Sequence, residues 1–246
     1  MDEEFDWTQF SHDWSQAATA GGFTPVSLAD TPAGALGVWQ KSGEGPHIYI
    51  SAGIHGDEPA GPLALLRLMH DGFFQDDALW SLCPSLNPTG LAAGTRENAD
   101  GQDLNRDYWL RQTPEVRAHA QWLASSPPPD LFLSLHEDWE TTGFYFYEIN
   151  LGPDRPDRAA AILAAVSDVL SIEPSLWVDG HEVRDPGWIY HEAEADLPHG
   201  WPEAIFLAKL GCPLSFTFET PSSAAPLSKR VAALAAAIRA AKKFPG

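Results

Sequence analysis

The stretch HIYISAGIHGDEPAGPLALLRLMH, residues 47–70, decides the architecture. Residues 47–52 are a β-rich run that stops at a glycine, as a buried strand does when it enters a turn. Gly53 and Gly56 permit a tight backbone there. Residues 58–70 then carry apolar side chains at helical spacing. A strand that passes through a glycine turn into a helix is the repeating unit of an α/β fold.

The unit recurs along the chain. Residues 79–86 (LWSLCPSL), 131–136 (LFLSLH), 143–149 (GFYFYEI) and 213–219 (PLSFTFE) read as further strands. Helical spacing returns at about 114–125, 157–170, about 202–210 and 226–243, the last closed by Lys242 and Lys243 against its C-terminal dipole. Residues 87–107, dense in Asn, Gly and Asp, form a long structured loop. Strands alternating with helices predict a mixed, mostly parallel β-sheet sandwiched between helices. The densest breaker, Pro127-Pro128-Pro129-Asp130, is too short for a domain linker, so a single domain is expected over 1–246.

Composition bounds the function. With 44% hydrophobic residues, twelve Phe, ten Trp and five Tyr, the chain has ample material for a core. Thirty-four acidic against fifteen basic side chains give a formal charge of −19, which repels nucleic acid and anionic lipid and excludes both as expected partners. The start, MDEEFDWTQF, lacks the basic and apolar regions of a signal peptide. No run approaches the roughly 18 apolar residues of a membrane helix. Cys83 and Cys212 lie in apolar stretches and read as reduced core residues. A cytoplasmic location is expected on these grounds.

In sheets of this kind ligands collect beyond the carboxyl ends of the strands. His55, Glu58, Asn87, His136 and Glu219 all fall at or just past such ends. The turn His55-Gly56-Asp57-Glu58 can bring an imidazole and a carboxylate onto one metal, although the same residues also suit a capped helix start with a surface His. Arg96 and Arg106 sit in the polar loop, where a planar fork of donors fits a substrate carboxylate or an oxyanion. The alternative is that they pair with the local acids Glu97, Asp100, Asp103 and Asp107. A lone strand-end His such as His136 is usually structural, and Glu219 needs a partner because burying a carboxylate is costly. Asp138 is a candidate to orient His136. The run His191-Glu192-Ala-Glu194-Ala-Asp196 reads as a solvated acidic face able to hold a stray cation. There is no G-x-S-x-G elbow, and no His-Glu pair is followed by a second His at the spacing of a helical zinc site.

Together the blocks resemble the zinc metallocarboxypeptidases of the carboxypeptidase A-like superfamily. That pattern is a His-x-x-Glu pair, an Asn-Pro-x-Gly loop with Arg-x-Asn and Asp-Leu-Asn-Arg, a later strand-end His and a late strand-end Glu. Here these are His55 with Glu58, Asn87-Pro-Thr-Gly90, Arg96-Glu-Asn98, Asp103-Leu-Asn-Arg106, His136 and Glu219, in the family order, within residues 47 to 221. The phrases around Glu58 and Arg106 are most similar to small bacterial members, the murein-peptide amidases that cut γ-D-glutamyl–diaminopimelate bonds.

The resemblance implies a carboxypeptidase-like fold and a zinc metallopeptidase or amidase that hydrolyses an amide bond in a small peptide bearing a free carboxylate. It implies one zinc per chain on His55, Glu58 and His136, with an open position for water. Glu219 would be the general base, Arg96 the oxyanion stabiliser, and Asn105 with Arg106 the grip on a terminal carboxylate. One departure stands out. Digestive carboxypeptidases carry a mobile Tyr ahead of the catalytic Glu, whereas residues 196–203 hold none, leaving His199 or Tyr190 as substitutes. Two other readings stay open. One is an N-acyl amino acid deacylase, resembling the succinylglutamate desuccinylase and aspartoacylase branch. The other is a non-catalytic zinc- or peptide-binding module on the same fold.

Overall fold

In the computed structural model, which describes residues 5–245, the strand expected at 47–52 lies inside an eight-stranded sheet. The acidic start at 1–4, part of the stretch read above for a leader, lies outside the described residues. The elements run α1 (Trp7–Ala20), β1 (Thr24–Thr31), β2 (Gly34–Lys41), β3 (His47–Ala52), α2 (Ala60–His70), β4 (Leu79–Cys83) and α3 (Pro88–Ala93). A 3-10 turn at Leu104–Arg106 precedes α4 (Pro114–Leu123), β5 (Leu131–Asp138), β6 (Tyr145–Asn150) and α5 (Pro156–Ser167). There follow β7 (Trp177–Val178), β8 (His181–Glu182), β9 (Trp188–Tyr190), α6 (Glu203–Leu210), β10 (Leu214–Pro221) and α7 (Leu227–Ala241).

The sheet order is β1-β2-β4-β3-β5-β10-β6-β9, with β7 and β8 as a separate hairpin. Strands β4, β3, β5 and β10 are parallel, as are β6 and β9, while β1, β2 and β6 enter antiparallel. The expected mixed, mostly parallel sheet between helices is therefore present. The elements not anticipated are α1 and the β1–β2 edge, the short strands β7 to β9, and two helical turns inside the 87–107 loop. Six-residue α3 hides in loop composition because its ends carry the signal: Asn87 caps it, Pro88 opens it, and Gly94 closes it in the left-handed region.

Alternation along the strands divides the core in two. Ile48, Ile50, Leu133, Leu135, Phe216 and Phe218 pack with buried residues of α1, α2, α5 and α7. Tyr49 and Phe132 point the other way, toward α4 and α6. On this second face β5 continues with Ser134 and His136, and β10 presents Thr217 and Glu219. Apolar packing thus gives way to polar side chains toward the carboxyl ends, and a cleft opens there.

Under the cleft lies a buried polar chain. Glu203, 1% exposed, accepts from Ser51 Oγ at 2.7 Å and Tyr49 OH at 2.9 Å. Since the one Tyr49 hydroxyl proton goes to Glu203, His119 Nε2, 2.8 Å from that oxygen, carries hydrogen, and His119 Nδ1 accepts from Tyr108 OH at 2.7 Å. Burial raises Glu203 to about 7 and pushes His119 down to about 3. The two act with opposite sign. Folded Glu203 holds a proton that the unfolded chain releases near pH 4.5, so its contribution is lost as pH climbs from 4.5 through about 7. Folded His119 stays neutral where the unfolded imidazole is charged, so its contribution grows from about pH 3 to 6.5. Glu203→Gln removes only the first. Its urea midpoint should rise more steeply with pH than that of the wild type between pH 4.5 and 6.5, and parallel curves would assign the effect elsewhere.

Candidate metal centre and its cleft

The turn after β3 supplies His55 and Glu58, and β5 supplies His136. All three are buried, and their ligand atoms lie within 4.8 Å of one another. Glu58 sits between the imidazoles, with Oε1 2.6 Å from His55 Nδ1 and Oε2 2.9 Å from His136 Nδ1. It caps no helix. The first amide of α2, at Ala60, is taken instead by Glu137 Oε1 at 2.8 Å, and Glu137 also pairs with Arg230 of α7. Nor is His55 a surface residue.

His55 Nε2 stands 3.2 Å from Asp103 Oδ1, which leaves Nδ1 facing Glu58. Burial lowers the His55 pKa, but Glu58 and Asp103 outweigh it and raise it to about 9. Burial likewise raises Glu58, and the imidazoles of His55 and His136 reverse that, holding it down to about 2. The site is built to keep one positive charge among buried carboxylates. A metal ion is the natural occupant, since ligand imidazoles bind metal by giving up a proton. Two imidazoles and one carboxylate fit zinc better than the all-oxygen preference of magnesium or calcium.

The glycine-rich blocks explain how the ligands are held. A Cβ on Gly56 would lie 1.8 Å from the Gly90 carbonyl carbon, so the two turns pack backbone against backbone. Gly56 N donates to Thr95 O at 2.9 Å. Asn87 caps Gly90 N at 2.9 Å and gives its amide to the Arg96 carbonyl at 3.3 Å. Asn98 accepts from the amides of Asp100 and Gln102 at 3.1 and 3.0 Å. Gly56→Ala should therefore cost about 1–3 kcal/mol through overpacking. It should also weaken metal uptake, both readable from Tm and zinc content; an unchanged Tm would mean the turns separate freely.

Arg96 and Arg106 behave differently. Arg96 pairs with a local acid, its Nε and Nη2 reaching Asp103 Oδ2 at 3.2 and 3.1 Å. That pairing aims the third nitrogen at the centre, Nη1 lying 3.3 Å from His55 Nδ1. Arg106 makes no ion pair among the described residues, and Asp107 is engaged by Thr113 instead. Exposed Arg106 donates Nη1 to the Asn105 carbonyl at 3.0 Å and lines the cleft. Asn105 is buried, and its Oδ1 accepts from Glu203 N at 3.0 Å, tying the loop to α6.

Glu219 is the register partner of His136 on β5 and of Tyr145 on β6. Burial raises its pKa well above the usual value, and the carboxylates of Glu58, Asp138 and Asp179 add to the rise. Asp138 does not orient His136 as the sequence suggested; it accepts from Tyr145 OH at 3.1 Å. Neither proposed stand-in for the missing tyrosine lines the cleft. Tyr190 lies under Arg184 at 5.1 Å, and His199 stacks on Trp109 at 6.2 Å. The tyrosines in the cleft are Tyr145 and Tyr147, whose inward face follows from β6 pairing with β10. The whole cleft measures about 530 Å³, the size of a small-molecule site.

The family described as the succinylglutamate desuccinylase/aspartoacylase catalytic domain matches residues 44–179. Carboxypeptidase SOL1 of Arabidopsis thaliana is 37% identical over a stretch taking in 32% of this chain, and the match spans only 20% of that protein. Among solved structures, a "putative metallopeptidase" of Shewanella amazonensis SB2B is 27% identical with a TM-score of 0.85, covering 98% of this chain and 94% of that one. A metallo-carboxypeptidase of Burkholderia cenocepacia shares the fold at 17% identity and a TM-score of 0.69, over 95% of this chain and 67% of the other.

Proposed function

The chain belongs to the succinylglutamate desuccinylase/aspartoacylase catalytic-domain family, within the metallocarboxypeptidase-like superfamily, and we propose that it is a zinc hydrolase cleaving an amide bond in a small substrate with a free carboxylate. The observation that carries this reading is the buried His55, Glu58 and His136 cluster with Glu219 beside it in one cleft. When bound, the ion supplies a Lewis acid that polarises the scissile carbonyl and acidifies a water. Glu219 takes the proton of the attacking water and returns it to the leaving amine. Arg96 offers Nη1 to the carbonyl oxygen as charge develops there. Arg106 binds the substrate carboxylate, joined by Asn105 Nδ2, the donor left free once Oδ1 holds α6.

Two substrate classes fit. Similarity to peptidase structures supports a peptide, whereas the family match supports an N-acyl amino acid. Product analysis on murein tripeptide, simple dipeptides and N-acyl amino acids separates them. Zinc-dependent turnover of none would leave only a binding module. Zinc analysis tests the centre itself: His136→Ala should carry one equivalent less than the wild type, and equal contents would sink the assignment.

Arg106→Ala should raise KM roughly 10–10²-fold for the free-carboxylate substrate, the worth of a charged hydrogen bond. The same substrate amidated at that position should be little affected, and Arg106→Lys should rescue in part. Equal losses on both substrates would remove Arg106 from carboxylate recognition.

A further inference from the structure

We propose that the cleft contains a second metal site, formed by His181, His191 and Asp196, able to bind zinc or a similar divalent ion independently of the first centre. The sequence separates these residues: His181 is in the β7–β8 hairpin, His191 follows β9, and Asp196 lies on the loop leading to α6. The fold brings their ligand atoms within 4.8 Å of one another on the cleft wall.

The spacing is that of ligands about an ion. Asp196 Oδ2 is 3.5 Å from His181 Nε2, and Oδ1 is 3.8 Å from His191 Nε2. Hydrogen bonds of this type close to about 2.7–3.2 Å. Ligands at roughly 2.0–2.1 Å around tetrahedral zinc stand roughly 3.4 Å apart. The carboxylate therefore bridges two imidazoles at ligand separation.

The imidazoles are also oriented. His191 Nδ1 donates to the Glu192 carbonyl, so in the neutral ring Nε2 is the lone-pair atom that faces Asp196. A metal-binding His is normally fixed in this way from its far nitrogen. The two rings meet at 4.9 Å and 72°, and each packs edge-on against Tyr147, at 5.5 and 5.8 Å. Tyr147 is itself anchored through its hydroxyl to Asp179 Oδ2 at 2.7 Å. Asp196 is exposed, so its side chain can close on an ion without disturbing the core.

An ion here gives a second cationic anchor to a cleft whose lining also includes the acids Asp138, Glu140 and Asp179. It would let an anionic group of the substrate lie along a surface that repels it when metal-free. This goes beyond the hydrolase reading and does not depend on turnover.

The test is zinc titration of metal-free protein by calorimetry near neutral pH, with elemental analysis after dialysis. The wild type should take up two equivalents, the His181→Ala/His191→Ala variant one, and His136→Ala one. Asp196→Asn should weaken one of the two binding events at least roughly tenfold, since even outer partners of a ligand are worth that much. A wild type whose single equivalent persists in the double variant, or a double variant that binds as many equivalents as the wild type, overturns the proposal. Should the double variant fail to fold, unchanged zinc affinities in Asp196→Asn overturn it equally. His136→Ala retaining two equivalents would instead remove the first centre and leave this one standing.

Discussion

Glu219→Gln should lose roughly 10²–10⁴-fold in kcat, the range for a positioned general base, while zinc content and fold are retained. Register places Glu219 beside His136 on the polar face of the sheet, next to the cluster that would hold the ion. Glu219 has no hydrogen-bond partner among the described residues, and Glu58, Asp138 and Asp179 all act on it with the same sign. A half-buried carboxylate in that position is costly to the fold. The amide, equal in shape and uncharged, should therefore keep or raise Tm as activity falls. This opposed pair of readouts separates a reactive group from a structural one, whose loss lowers both. Turnover within threefold of wild type would move the base to another cleft carboxylate, with Asp138 and Asp179 the first to examine.

How much of this was legible depended on the range of the interactions. Strands β3, β5 and β10 are buried on both faces, so their apolar runs announced them. His55, Glu58 and His136 were legible as ligand types at strand ends, and the glycines as turn formers. That Gly56 lies against Gly90 was not, because the contact joins two loops far apart in sequence. Asp103 stands in the sequence among the loop acids able to pair with Arg96, as it does, but its simultaneous hold on His55 has no sequence signal. Tyr145 and Tyr147 lie in a run that reads as a strand, but their side of the sheet is set by pairing with β10. His191 and Asp196 read as a solvated face because His181, which completes the group, arrives from a two-residue strand with no periodic signal.

Arg96→Ala should lower kcat by about 10²–10³-fold, the cost of removing one preorganised oxyanion donor. Its guanidinium is aimed by geometry rather than by burial, the side chain being 40% exposed. Asp103 takes Nε and Nη2, so the remaining edge, Nη1, is presented toward His55 and Glu58. Burial alone would lower the Arg96 pKa, but Asp103 and Glu58 raise it, so the charge is permanent. Arg96→Lys should recover little, because a single ammonium cannot hold Asp103 and face the carbonyl at once. Asp103→Asn tests the aiming. It loosens Arg96 and His55 together, so zinc affinity should fall about 10–100-fold, as for other outer partners of a ligand. The double variant Arg96→Ala/Asp103→Asn should lose less kcat than the two single losses combined, since Asp103 acts on turnover partly through Arg96. If Arg96→Ala instead raises KM with kcat intact, the arginine binds the substrate equally in ground and transition states, and its place at the oxyanion must be given up.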